Sequence, residues 1–292
     1  MNWTIIKLIR WAASYLKSHD IDSPRATGEI LLAHALKLNR IDLYLNYDQP
    51  LTDDELQRFK ALIKRRTSRE PVAYILGAKE FWSLDLKVNR DVLIPRPETE
   101  CLVEKALALL SESAVPPRQR ILDLGTGSGA IVMALASQQP QHAYFASDRS
   151  WPAVVVARDN ARRYEYAAGI HFFVGDWLAP LNEAGTGFDM IVSNPPYIPS
   201  SVIDGLQPEI WRFEPRTALD GSADGLACFR TIIGAAYGHL KTGGVLIMEI
   251  GCDQREDVSR IAAGGDRFEA IDCAKDYSGR DRVVWMRKKA CG

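Results

Sequence analysis

The chain has 292 residues, 47% of them hydrophobic and 25% charged, an ordinary globular composition that excludes disordered and fibrous classes and leaves room for two domains. Its 36 Lys and Arg against 37 Asp and Glu give a formal net charge of -1. That balance argues against holding nucleic acid by bulk electrostatics, while leaving a local basic patch compatible.

From the start to about residue 75 the periodicity is helical. Ile5, Leu8, Ile9, Ala12 and Leu16 share one face, with Lys7, Arg10, Ser14 and Lys17 on the other. The same stretch is too interrupted by Lys7 and Arg10 to form a signal core, and no apolar run is long enough to span a bilayer, so no membrane partner and a cytoplasmic location are expected. Asp22-Ser23-Pro24 reads as a cap followed by proline at the first helical position, and Thr52-Asp53-Asp54-Glu55 as a capping box. The cluster Lys64-Arg65-Arg66 with Arg69 closes this region. It suits either a solvated helix face, the commoner case, or contact with an acidic partner or a phosphate backbone.

Phe81 to Pro97 alternates apolar and polar residues around an Asn89-Arg90-Asp91 turn, the pattern of a hairpin joining two domains. Short β-rich runs then alternate with helical stretches: 120–124, 143–147, 170–174, 190–193, 245–249, 268–272 and 283–286. Such alternation predicts parallel βαβ units and an open α/β sheet wound on both faces. Cys101, Cys228, Cys252, Cys273 and Cys291 form no C-x-x-C pair, which suits a reducing compartment. Neither they nor the five histidines show metal-ligand spacing, so no metal is expected.

Chemistry concentrates at the ends of these runs. Ile121 to Leu124 feeds Gly125-Thr126-Gly127-Ser128-Gly129 and then an apolar helix, a turn that lets a ligand approach the backbone at a helix N-terminus. Gly125, Gly127 and Ala130 also satisfy the G-x-G-x-x-A form of a dinucleotide site. Asp123, two residues before the loop, favours a ligand bearing a cationic amino group over a pyrophosphate. Asp148 ends the second run and suits ribose hydroxyls in either cofactor class. Asp176 offers an acceptor for an exocyclic amine, and Trp177 a flat apolar face for adenine. As a rim on successive strand ends, these residues suit S-adenosylmethionine.

The fourth run delivers Asn194-Pro195-Pro196-Tyr197 to the same sheet edge. The two prolines supply no N-H donors, so the segment is rich in acceptors. A planar NH2 group has two in-plane hydrogens, one for the Asn194 side-chain oxygen and one for the Pro195 carbonyl, with the Tyr197 ring against its face. The expected target is a nitrogen on an sp² carbon, methylated by in-line attack with no titratable base from the motif.

Several stretches together resemble the PrmC/HemK family of N5-glutamine methyltransferases: PVAYILGAKEFWSLDLKV at 71–88, VLIPRPETE at 92–100, DLGTGSGAI at 123–131, VSNPPYIP at 192–199, EPRTALDGSADGL at 214–226 and DYSGRDRVV at 276–284. The resemblance implies a class I, Rossmann-like methyltransferase fold with a seven-stranded, mostly parallel sheet. It implies S-adenosyl-L-methionine as donor and, as acceptor, the glutamine in the Gly-Gly-Gln loop of class I peptide chain release factors. It assigns cofactor contacts to Gly125 through Gly129, Asp148, Trp177 and Asn194, and the glutamine pocket to Asn194 through Tyr197. Ser128 departs slightly from the threonine common there. The implied division is a helical substrate-recognition domain at 1–78, a hairpin linker at 79–97 and a methyltransferase domain at 98–292. The polar segment holding Glu214, Arg216, Asp220 and Asp224 is then either a loop over the substrate channel or a surface insertion, the resemblance favouring the loop.

Three rival readings remain. A nucleic-acid methyltransferase acting on N6 of adenine or N2 of guanine uses the same four residues, but usually adds a recognition domain or a basic groove. A non-catalytic module binding release factors or ribosomes would not need an intact Asn194 to Tyr197 set. A nicotinamide oxidoreductase would need a catalytic proton donor beside the glycine loop, and none accompanies it.

Overall fold

The computed structural model describes residues 3–112, 118–182 and 187–290; Cys291 lies outside them. The chain divides into two compact units, the first comprising Met1–Ala78 with Gln207–Phe213, the second Lys79–Leu206 with Glu214–Gly292.

The first unit is built from α1 (Ile5–Lys17), α2 (Pro24–Leu36), α3 (Arg40–Leu45), α4 (Asp53–Thr67) and α5 (Val72–Leu76). The apolar stripe expected of α1 is its buried face: Ile5, Leu8, Ile9, Ala12 and Leu16 pack with Leu31, Leu32, Phe59 and Ile63. The capping box forms, Thr52 N–H donating to Glu55 Oε2 at 2.8 Å and Glu55 N–H to Thr52 Oγ1 at 3.3 Å. Ser23 differs from expectation. It precedes Pro24 in left-handed geometry (φ 47°) and makes no side-chain cap bond.

The basic cluster divides: Lys64 and Arg65 lie on an exposed face, as the commoner reading expects, while Arg66 is buried and Arg69 half-buried. Arg65 pairs with Glu70 at 2.8 Å, while Arg66, its side chain 7% exposed, pairs with Glu209 at 2.7 Å. Arg69 reaches the same carboxylate at 3.4 Å. Burial explains the pairing of Arg66, since a guanidinium taken out of water must find a carboxylate.

The second unit opens at Lys79, within the hairpin β1 (Ala78–Phe81) and β2 (Leu84–Lys87). Its turn is Trp82-Ser83, both at positive φ (52° and 58°), which is the primed two-residue form that matches strand twist. Asn89-Arg90-Asp91 is therefore a separate turn, held by Asp91 N–H donating to the Asn89 side chain at 3.0 Å. A one-turn 3₁₀ helix at Pro97–Thr99 leads into α6 (Glu100–Glu112), whose first carboxylate accepts from Trp82 N–H at 2.9 Å.

The alternating part then runs β3 (Arg120–Leu124), α7 (Ala130–Gln138), β4 (Ala143–Asp148), α8 (Trp151–Ala161), β5 (His171–Val174) and β6 (Phe188–Ser193). It continues through the short α9 (Ser200–Ile203) and α10 (Pro208–Trp211), the latter in the first unit, to α11 (Ala227–His239) and β7 (Leu240–Glu249). The last elements are α12 (Arg255–Ala263), β8 (Phe268–Lys275) and β9 (Asp281–Lys288). The seven-stranded sheet has the order β5-β4-β3-β6-β7-β9-β8, parallel from β5 through β7 with β9 antiparallel to both its neighbours. Alternate residues enter opposite cores: Ile121, Met190 and Ile247 pack with α6 and α7, while Leu122, Ile191 and Leu246 pack with α11 and α12. A sheet buried on both faces explains why its strands read as nearly unbroken apolar runs.

Candidate active site

Because β3, β4, β5 and β6 are parallel, their carboxyl ends emerge on one edge, in register from Leu124 with Ser147 and Ser193 to Asp148 with Val174. The strand order reverses direction about β3, so loops after β3 and β6 leave a crevice between them. A cleft with about 1100 Å³ of empty volume lies there. Gly125 through Ser128, Asp148, Asp176, Trp177, Asn194 and Pro196 line it.

The glycine loop is a left-handed turn. Gly125, Gly127 and Gly129 sit at φ 72°, 54° and 85°, where a side chain would be strained. The Gly125 and Thr126 N–H groups donate to Ser147 O, both at 2.9 Å, and Gly127 N–H donates to Asp148 Oδ2 at 3.0 Å. Asp148 takes Ser150 N–H on its other oxygen at 2.9 Å. Burial pushes the Asp148 carboxyl up, while the Ser150 and Gly127 N–H groups work against that. Asn160 supports the loop from behind, donating to Ser128 O at 2.9 Å and to Lys87 O at 3.0 Å, and accepting from Lys87 N–H at 2.7 Å.

Asp123 stands elsewhere than expected. It is fully buried and outside the cleft wall, with Oδ2 accepting from Thr126 Oγ1 at 2.7 Å and Oδ1 lacking a hydrogen-bond partner among the described residues. Burial pushes its carboxyl up to about 7, with Thr126 pulling the other way. Gly129 also lies behind the wall, where an added Cβ would stand 3.3 Å from that of Ala157.

At β6, Asn194 Nδ2 donates to Thr99 Oγ1 at 3.2 Å, and Thr99 donates to Glu249 Oε2 at 2.7 Å. Tyr197 OH donates to Glu249 Oε1 at 3.2 Å, and its backbone carbonyl accepts from Gln254 Nε2 at 3.0 Å. Pro195 and Tyr197 are not part of the cleft wall, and Pro195 is buried. Arg96, Thr99 and Thr217, which stand in family-like stretches but to which the sequence assigns no role, line it, as does Cys228. The 214–226 segment runs beside the motif: Ile198 N–H donates to Leu219 O at 3.0 Å and Gly221 N–H to Ile198 O at 2.8 Å. Arg96 fastens that segment through Glu214 at 2.5 Å.

These walls fit a sulfonium nucleoside. A Cβ at Gly127 would meet no atom within 4 Å, and one at Gly125 would meet only the Trp177 ring, at 3.6 Å, so the loop backbone borders open space beside an aromatic face. Asp148 and Asp176 place acceptors on the same rim.

Residues 7–77 match the PrmC N-terminal domain, and residues 102–205 match the methyltransferase small domain. A release factor glutamine methyltransferase from Geobacter sulfurreducens is 43% identical, covering 98% of this chain and 97% of its own. The protein of that name from Escherichia coli K12 is 42% identical, covering 96% of this chain and 97% of its own. A solved methyltransferase from Pyrococcus furiosus has a TM-score of 0.51 at 17% identity, over 79% of this chain and 98% of its own, a likeness of fold. Strand order, cleft position and the methyltransferase small-domain match together define a class I methyltransferase. Identity along nearly the whole length narrows the class further: the chain belongs to the release factor glutamine methyltransferase family.

Proposed function

We infer that the chain methylates the side-chain amide nitrogen of a glutamine, the one in the Gly-Gly-Gln loop of a class I peptide chain release factor, with S-adenosylmethionine as donor. The observation that carries this reading is the union, in one cleft, of the glycine loop with Asn194 and Pro196. The donor, when bound, supplies an electrophilic sulfonium methyl. Gly125 through Ser128 and Trp177 hold its place, Asp148 takes ribose hydroxyls and Asp176 the exocyclic amine. Asp123 and Gly129 act from behind, shaping the loop.

Asn194 Oδ1 accepts one hydrogen of the glutamine amide from the cleft wall, the carbonyl of Pro195, whose residue lies behind that wall, is the expected acceptor of the other, and Tyr197 packs behind the motif. Two acceptors return electron density to a nitrogen whose lone pair is otherwise delocalised. Each contributes on the order of 1 kcal/mol, whereas oriented proximity is worth roughly 7–11 kcal/mol, so positioning dominates. The nitrogen forms its bond to the methyl carbon as the carbon-sulfur bond breaks, and the amide then releases one proton to water. The helical unit at 1–78 helps hold the release factor, residues 79–97 serve as linker, and a cytoplasmic location suits a substrate that works on the ribosome. No helix among the described residues is long and apolar enough to cross a membrane. Sequence-specific nucleic-acid binding is not part of this reading.

The test is incubation with isotopically labelled donor and either a release factor or duplex DNA, followed by mass spectrometry of the peptides. One added methyl on glutamine is expected; label on DNA alone overturns the assignment. Asn194→Ala should lower kcat at least about 100-fold while changing donor affinity by less than about threefold.

A further inference from the structure

Resting on that reading, the polar groups behind Asn194 carry an order of protons that the cleft itself does not show. Glu249 ends β7 with 1% exposure, and Thr99 ends the 3₁₀ turn with 4%. Both carboxylate oxygens of Glu249 are occupied, Oε2 by Thr99 and Oε1 by Tyr197. Burial, the largest influence, leaves the Glu249 carboxyl raised, although the Thr99 hydroxyl, the Arg282 charge and the Tyr197 hydroxyl pull against it. Thr99 Oγ1 donates to Glu249 Oε2, and a threonine hydroxyl has one proton to give. With that proton committed to Glu249, Thr99 can meet Asn194 only as an acceptor. The Asn194 NH2 must then turn to Thr99, at 3.2 Å, which leaves Oδ1 as the end available to the cleft.

We propose that Thr99, with its proton fixed by Glu249, is a positioning residue that sets the amide orientation of Asn194 and so commits the acceptor pocket to a hydrogen-bond donor, an NH2 group. Without Thr99 the Asn194 amide is free to turn over. Its NH2 then faces the NH2 of the incoming glutamine, two donors with no acceptor between them, and the pocket loses its preference.

The experiment compares Thr99→Val, which keeps the branch and loses the hydroxyl, with Thr99→Ser, which keeps the hydroxyl. Thr99→Val should lower kcat on a release factor about tenfold or more, with affinity for S-adenosylhomocysteine changed less than about threefold. Thr99→Ser should restore kcat to within about threefold of the parent. A second readout needs no turnover: the Asn194 side-chain NH2 signal in a 15N spectrum, identified by its loss in Asn194→Ala, should shift and exchange faster with water in Thr99→Val. The proposal fails if Thr99→Val keeps the parent kcat, if Thr99→Ser is as slow as Thr99→Val, or if the Asn194 signal is unmoved. A parent that methylates no release factor overturns the functional reading instead, and the spectra still decide the hydrogen-bond order.

Discussion

Asp123 combines full burial, an unpartnered oxygen and a carboxyl pushed up to about 7. Its proton is held more tightly in the folded chain than in the unfolded one. The associated stability is therefore complete below the ordinary aspartate range and is lost as pH rises through about 7, on the order of 4 kcal/mol. Asp123→Asn cannot ionise. Urea unfolding of parent and variant at pH 4.5 and pH 8 (about these values) should show the variant gaining relative stability at the higher pH; a difference independent of pH would rule this out. Side-chain types at strand ends were legible because each sits a fixed step from a recognisable loop or strand. The roles inside that set were less so, because exposure decides them. Asp123 was expected to face a ligand, yet it turns inward to Thr126. The same holds for Arg66, whose charge reads as solvated until Glu209 closes over it. Thr99 lies within the family-like stretch 92–100, but nothing in the sequence assigns it a role, since it stands 95 residues from Asn194 and 150 from Glu249.

Elements explain how the acceptor motif stays in place after β6 ends. The 198–227 segment supplies a parallel bridge between Ile198 and Asp220, the Arg96–Glu214 pair, and Gln254 bonded to both Tyr197 O and Gly225 O. Gly225 is the tight point. It sits at φ 74°, and a Cβ there would collide with the Tyr197 carbonyl and stand 2.8 Å from Gln254 Nε2. Gly225→Ala should cost about 2–4 kcal/mol, combining backbone strain with a forced shift of the motif. Chemical denaturation and turnover should fall together; a variant as stable and as fast as the parent would show that the segment yields freely. The seven strands and their parallel order could be read from alternation because each is locally apolar. The Trp82-Ser83 turn could not, since neither residue is the usual choice for positive φ, and Asn89-Arg90-Asp91 offers stronger turn chemistry nearby.

For the molecule as a whole, the first unit is discontinuous in sequence. Gln207–Phe213 joins Met1–Ala78 across 143 residues through Arg66 and Glu209. Among the described residues, Arg66 otherwise has a 3.3 Å bond to Glu70 O and no partner for its Nε. Removing the carboxylate strands a buried cation, so Glu209→Ala should destabilise by about 3–5 kcal/mol, read as a lower urea midpoint. Stability equal to the parent would mean that Arg66 finds water. Helical periodicity revealed the continuous part of this unit, whereas no local pattern marks a lone turn of helix at 208–211 as belonging to it.

The peptide chain thus passes between the two units three times, at residues 78/79, 206/207 and 213/214. A graft that trades only the first 78 residues for those of a relative keeps the host's Glu209 opposite a foreign Arg66. The head of this enzyme is not a portable cassette; it travels intact only when its distant seven-residue piece is transplanted with it.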